Sequence, residues 1–302
     1  MTATDIQTKP LSLEAYIGPL LVFGGAICIG FAPIGLRVGL DSFGPQAIGF
    51  WRFTFAIPMV LALVLLVHRR LPVRPNRFAL AAGVFFALDI ALWHWALTLT
   101  TVANATFIVN LGNISVGLLA WIFLKDRITA QWFLAAFIAL IGAGLLTQGG
   151  GLDAKGDLRG DALAFGAAIL VSGYMLCASI ARRTLGGLDL LFWVTVTEAF
   201  VQLFIISFSG EAFLPSKPQG WLAPLFLAAI VQCGGQGLIL AGLGRTPAGI
   251  AGVLVLMQPV TAAGLSWQLF EEPLKLLQLT GGVLILFGIL LSQWQKNPKK
   301  LS

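Results

Sequence analysis

What most constrains this chain is the recurrence of uncharged, apolar segments, each about as long as a bilayer is thick. A helix needs ~20 largely apolar residues to cross the hydrocarbon core. Segments near that length fall at 16–37, 45–67, 78–98, 102–124, 130–148, 160–181, 188–208, 220–242, 247–270 and 277–294, each bounded by charge, Gly/Pro or polar clusters. Composition closes off the soluble alternative. Only 11% of the residues are charged, whereas a soluble domain carries about a quarter, and mean hydropathy is +0.90. The expected fold is an all-α polytopic membrane protein of ten transmembrane helices, with short connections that make neighbours antiparallel.

The basic pI of about 9.6 does not point to nucleic acid. Lys and Arg sit in short connections rather than on a basic face with interleaved aromatics. Cys28, Cys177 and Cys233 each lie inside an apolar run with no CxxC or Cys/His ligand spacing. Neither a metal site nor a disulfide framework is expected from them. The N-terminal stretch lacks a basic n-region, and Ile17 to Leu36 shows no A-x-A cleavage site. A removable signal peptide is therefore not expected.

Charge placement sets an orientation. With the N-terminus inside, thirteen basic residues fall in cytoplasmic segments: Lys9, Arg69, Arg70, Arg74, Arg77, Lys125, Arg127, Arg182, Arg183, Arg245, Lys296, Lys299 and Lys300. Five fall outside: Arg37, Lys155, Arg159, Lys217 and Lys275. Positive loops stay inside, so both termini are expected in the cytoplasm, in a bacterial-type inner membrane.

The halves 1–150 and 151–302 resemble one another. An offset of 142 places Phe23, Gly24, Phe50 and Trp51 on Phe165, Gly166, Phe192 and Trp193. An offset of 146 places Thr100, Trp121 and Gly142 on Thr246, Trp267 and Gly288. Five helices per half is an odd number, so the second half enters the membrane from the opposite side. Inverted repeats of this kind occur in secondary transporters, whose substrate site lies near the midplane where the copies meet.

Two five-helix halves, FWRF at Phe50–Phe53 opening the second helix, and LKDRIT at Leu124–Thr129 after the fourth resemble the EamA-type drug/metabolite transporter superfamily. Asp126-Arg127 fills the acidic-basic pair usual after the fourth helix of that family, and Glu271-Glu272-Pro273 departs from it in the second half. Within the superfamily the chain looks most like the aromatic amino acid exporter branch. That resemblance implies export of amino acids, aromatic ones among them, or of related small metabolites.

Polar groups inside spans are costly and hence functional candidates. Asp89 lies mid-span in the third helix with Trp93 on its face. His94 lies above a stripe of Gly83, Ala87 and Ala91, so it should point into the bundle. There it either binds substrate, with a proton role open to it, or bonds a neighbouring helix. Asp89 and Glu198 are candidates for proton coupling, with helix stabilisation as the competing role for Asp89. Arg52 is read as structural, with snorkelling to the outer interface or pairing with Glu198 as its options. Asn110, Asn113, Gln232, Gln236 and Gln258 are amides within spans, and Tyr174 adds a hydroxyl. Singly, each amide is interhelical glue. Together they suggest a polar cavity between helices one, three, four, six, eight and nine. Pro33 and Pro259 would disrupt helices where they line it. Trp93, Trp95 and Phe107 are the aromatics placed to touch substrate, whereas Trp132, Trp221 and Trp294 suit the interfacial belts.

These features favour a secondary transporter working by alternating access. No Walker A pattern or soluble ATPase domain is present, so gradients would supply the energy. An intramembrane enzyme fits poorly, with two histidines, no HExxH and no GxSxG. A passive facilitator is the other alternative. The expected partners are a small-molecule substrate and membrane lipid, without cofactor, metal or nucleic acid. Gly24, Gly25 and Gly30 serve contacts within one chain as readily as between chains, which leaves the oligomeric state open.

Overall fold

The structure is a computed structural model, and it describes residues 14–100, 102–125, 128–147, 157–270 and 274–293. Asp126-Arg127, Glu271-Glu272-Pro273 and Trp294 lie outside these. Among the described residues ten helices follow one another: α1 Tyr16–Gly39, α2 Pro45–His68, α3 Arg77–Leu99, α4 Ala105–Leu124, α5 Ala130–Leu146, α6 Leu158–Ala181, α7 Gly187–Ser209, α8 Pro218–Leu243, α9 Ala248–Leu269 and α10 Leu276–Gln293. Nine are long and apolar enough to cross a membrane, and α5 is a shorter apolar helix.

Helix starts follow local chemistry. The Asn76 side chain accepts from the Ala79 N–H at 2.8 Å, and Asp157 accepts from Arg159 N–H at 2.9 Å, each satisfying a donor orphaned in a first turn. At the start of α2 the N-cap is Gly44, which has no side chain to offer. Glu211, from beyond the far end of α7, does that work instead, accepting from the Ala47 N–H at 2.9 Å. Burial pushes the Glu211 carboxyl above its ordinary range, with the bonds from the Ala47 and Gln46 backbone opposing it.

The helices pair symmetrically. The most extensive contacts join α3 to α6, α5 to α10, α1 to α8, α4 to α6, α2 to α7 and α3 to α7. Exchanging the halves turns α3·α6 into α8·α1, and it turns α2·α7, α4·α9 and α5·α10 into themselves. This is the contact pattern of two five-helix repeats related by a pseudo-two-fold axis. Small residues let the backbones approach, as in membrane bundles generally. A Cβ on Gly281 would sit 2.5 Å from the Gly142 carbonyl, and one on Gly142 would sit 2.6 Å from that of Gly281. Gly25 likewise sits against the Gly235 carbonyl of α8, within the one chain. Phe137, Phe200, Phe204, Phe208 and Leu290 face outward, as suits a lipid solvent.

The pseudo-symmetry extends to the loops. Trp51 Nε1 donates to the Phe213 carbonyl at 2.5 Å, and its repeat equivalent Trp193 donates to the Val73 carbonyl at 2.6 Å. These two latches tie α2 and α7 together at opposite ends. The second is reinforced by Arg70, which forks onto Asp189 at 2.9 and 2.8 Å. That bonding holds the Arg70 guanidinium above its ordinary range.

Trp132 departs from the sequence expectation. It is buried in the core rather than placed in an interfacial belt, because Gly117 and Gly249 leave a notch that the indole fills.

Candidate functional site

Two helices are broken where proline demands it. Proline at position i removes the N–H that would bond the carbonyl of i−4. Pro33 thus frees the Ile29 carbonyl, and α1 divides into Glu14–Ile29 and Ala32–Gly39. Pro259 frees the Val255 carbonyl, and α9 divides into Ala248–Val255 and Met257–Phe270. A third irregularity is the π-helical stretch Leu227–Gln236 in α8. Gln232 and Gln236, four residues apart within it, are both buried, and such π segments are frequent at functional sites.

These irregularities converge on a cavity of about 120 Å³ between the two halves. It is lined from all six of the helices expected, by Ile29 and Pro33 of α1, Phe86, Asp89 and Trp93 of α3, Asn110 and Asn113 of α4, Tyr174 of α6, Gln236 of α8 and Gln258 of α9. Among the predicted substrate contacts, then, Trp93, Asn110, Asn113, Tyr174, Gln236 and Gln258 share one surface, and Asp89 joins them.

Much of the polar lining is preorganised by its own bonds. Tyr174 Oη donates to Gln236 Oε1 at 2.6 Å. Asn113 Nδ2 donates to Asn110 Oδ1 at 3.2 Å, and Asn110 Nδ2 donates to the Thr106 carbonyl at 2.9 Å. Phe86 lies 4.6 Å from Tyr174 between ring centroids and gives the cavity an aromatic wall beside Trp93.

Four expected residues stand elsewhere. His94 points into the bundle, but toward α2, where its Cε1 would meet a Cβ on Gly49 at 3.4 Å. It does not line the cavity, because a half-turn of helix separates its face from that of Asp89. Phe107 packs against Gly144 of α5, and Trp95 is partly exposed on the outer surface of the bundle. Glu198 is fully buried behind the cavity wall, where Oε2 accepts from Gln232 Nε2 at 2.6 Å.

Arg52 reverses its expectation. Instead of reaching the outer interface it is 5% exposed and lines the cavity. Its Nη2 donates to Gln232 Oε1 at 2.9 Å. It meets Glu198 only through that amide, rather than by direct pairing. The signal that could have found it was present in the sequence. The second FW pair is followed by Val194 where the first is followed by Arg52, so the charge is an addition to the repeat and not part of its scaffold.

The profile of the EamA-like transporter family matches twice, over residues 16–148 and 158–294. The chain belongs to the EamA-like transporter family. The uncharacterized transporter YwfM of Bacillus subtilis (strain 168) is 27% identical over 256 residues, covering 83% of this chain and 84% of its own. Solute carrier family 35 member G1 of Mus musculus is 26% identical over 239 residues, covering 72% of this chain and 63% of its own. A crystal structure of a protein with 17% identity superposes with a TM-score of 0.77, covering 91% of this chain and 96% of that one. At that identity the likeness shows the shared fold. The chain is a multi-pass membrane transporter acting on small molecules.

Proposed function

We propose that this EamA-like transporter moves amino acids, aromatic ones among them, or closely related metabolites out of the cell by alternating access through the central cavity. The observation that carries this reading is the cavity itself. It lies where inverted halves meet, beside two proline-broken helices, and its walls combine hydrogen-bonding side chains with Phe86, Trp93 and Tyr174. Substrate sites of inverted-repeat transporters lie at such junctions, and aromatic walls suit an apolar or aromatic side chain.

In this reading 1–150 and 151–302 act as the two moving units, in an inner membrane with both termini in the cytoplasm. With that orientation the cavity reaches from midplane into the outer half, through Pro33, Trp93 and Thr106. Trp93, Asn110, Asn113, Tyr174, Gln236 and Gln258 touch the substrate. Asp89 and Glu198 are the candidates for carrying a coupled proton. His94 and Phe107 support the walls from behind.

Counterflow in proteoliposomes, with a panel of labelled amino acids and with or without a pH gradient, tests this. Saturable exchange accelerated by substrate on the far side supports a carrier. Non-saturating flux without exchange replaces it with a facilitator, and no exchange across the panel refutes the amino acid assignment.

A further inference from the structure

The sequence singles out Arg52 as a charge within a span, and the fold brings it to the cavity with no carboxylate paired to it directly among the described residues. Among the described residues its side chain donates to the amide of Gln232, and its Nε is buried with no hydrogen-bond partner there. Gln232 is held from behind, its Nε2 donating to both Glu198 Oε2 at 2.6 Å and Thr195 Oγ1 at 3.0 Å. The amide orientation is thereby fixed, and so is the guanidinium that rests on it. The Arg52 Cζ also lies 5.1 Å from the centroid of the Phe53 ring. This is a preorganised cation with donors to spare.

The repeat does not require a cation at this position. The repeat-equivalent position in α7 holds Val194, which is fully buried in the apolar core. The same architecture is thus satisfied by an apolar side chain on the other side of the pseudo-two-fold axis. A charge kept inside a membrane bundle, where the other repeat carries an apolar side chain, points to function.

Asp89 lines the same cavity, 4% exposed, with Oδ1 lacking a hydrogen-bond partner among the described residues. We infer that Arg52 anchors the carboxylate of the transported substrate and that Asp89 receives its ammonium group, so that the substrate class is the zwitterionic α-amino acid. This inference rests on the amino acid reading above and deepens it. A guanidinium fork matches a carboxylate through two parallel bonds. One cation and one carboxyl on the lining match a ligand that is neutral overall and carries one of each. A phosphate dianion matches less well, because it would face Asp89 directly and Glu198 just behind Gln232.

The experiment uses the full chain in proteoliposomes and three labelled probes: phenylalanine, phenethylamine, which lacks the carboxylate, and 3-phenylpropionate, which lacks the ammonium. Leucine with isoamylamine and isocaproate serves where phenylalanine is not carried. The wild type is expected to prefer the amino acid over the amine by at least about tenfold, since a site built for a polar group rejects ligands lacking it. Arg52→Gln should abolish that preference by reducing exchange of the amino acid far more than that of the amine. Arg52→Lys, which keeps the charge but not the fork, should fall between. Asp89→Asn should instead erode discrimination against 3-phenylpropionate. Competition by the unlabelled probes against amino acid exchange by the wild type needs no variant, and it keeps the inference exposed if Arg52→Gln fails to fold.

An amine that competes as well as the amino acid overturns the carboxylate anchor and leaves the transport reading standing. So does an Arg52→Gln protein that loses all probes in equal proportion, since that is what a structural role gives. A wild type that exchanges no amino acid overturns both.

Discussion

Gln232→Leu tests the physical basis of the site most directly. Gln232 makes three side-chain bonds at once: from Arg52 at 2.9 Å, to Glu198 at 2.6 Å and to Thr195 at 3.0 Å. Interhelical hydrogen bonds in membranes average about 0.6 kcal/mol, so three neutral bonds would contribute about 2 kcal/mol. Two of these involve ionisable groups, and orphaning a buried group costs more than the bond's net value, about 1–3 kcal/mol. The substitution should therefore destabilise by about 2–4 kcal/mol. Thr195→Val, which preserves shape but leaves one Gln232 N–H unpartnered, should cost about 1 kcal/mol. Thermal or denaturant unfolding in detergent, followed by tryptophan fluorescence, gives both values. If Gln232→Leu costs no more than Thr195→Val, the amide is not holding the two ionisable groups, and the preorganisation argued for Arg52 fails with it.

Other substitutions test the packing and the loops. Gly281→Val should force α5 and α10 apart, since even a Cβ would lie 2.5 Å from the Gly142 carbonyl; the overpacking cost of about 1–3 kcal/mol should appear in the same unfolding assay. Trp51→Phe and Trp193→Phe each remove one bond to a loop carbonyl and should each cost about 1 kcal/mol. Because the latches sit at opposite ends of α2 and α7, their effects should add. Hydrogen exchange should rise near Phe213 in the first variant and near Val73 in the second. Burial raises the folded carboxyl pKa of Glu211, so its stabilising contribution is fullest at low pH and fades as pH climbs through the raised value. The melting temperature of the wild type relative to Glu211→Gln should therefore rise as pH falls from neutral toward the ordinary glutamate range. A difference independent of pH would show that Glu211 does not titrate on unfolding.

The helices and the two repeats were legible in the sequence because the bilayer imposes a length and a hydropathy that no loop can imitate. The breaks in α1 and α9 were legible too, because the missing proline N–H acts on a carbonyl only one turn away. So was the set of helices around the cavity, since amides within apolar spans need a polar place to go. Asp89 and Trp93 share a face by spacing alone.

The direction of each remaining polar side chain was not. His94 and Asp89 lie five residues apart on one helix, yet one faces α2 and the other the cavity, because helical phase says which residues share a face and not which neighbour covers it. Trp132 looked like a belt residue until Gly117 and Gly249, distant in sequence, proved to form its notch. Arg52 was the largest reversal. From sequence its long stem allowed the outer interface. Only the packing of α2 against α7 and α8 put Gln232 within its reach and turned the guanidinium inward. The sequence by itself determined that this is an all-helical chain with many membrane-length segments, because that follows from the solvent. Tertiary structure decided which polar groups meet, because that depends on contacts between residues as far apart as Arg52 and Gln232.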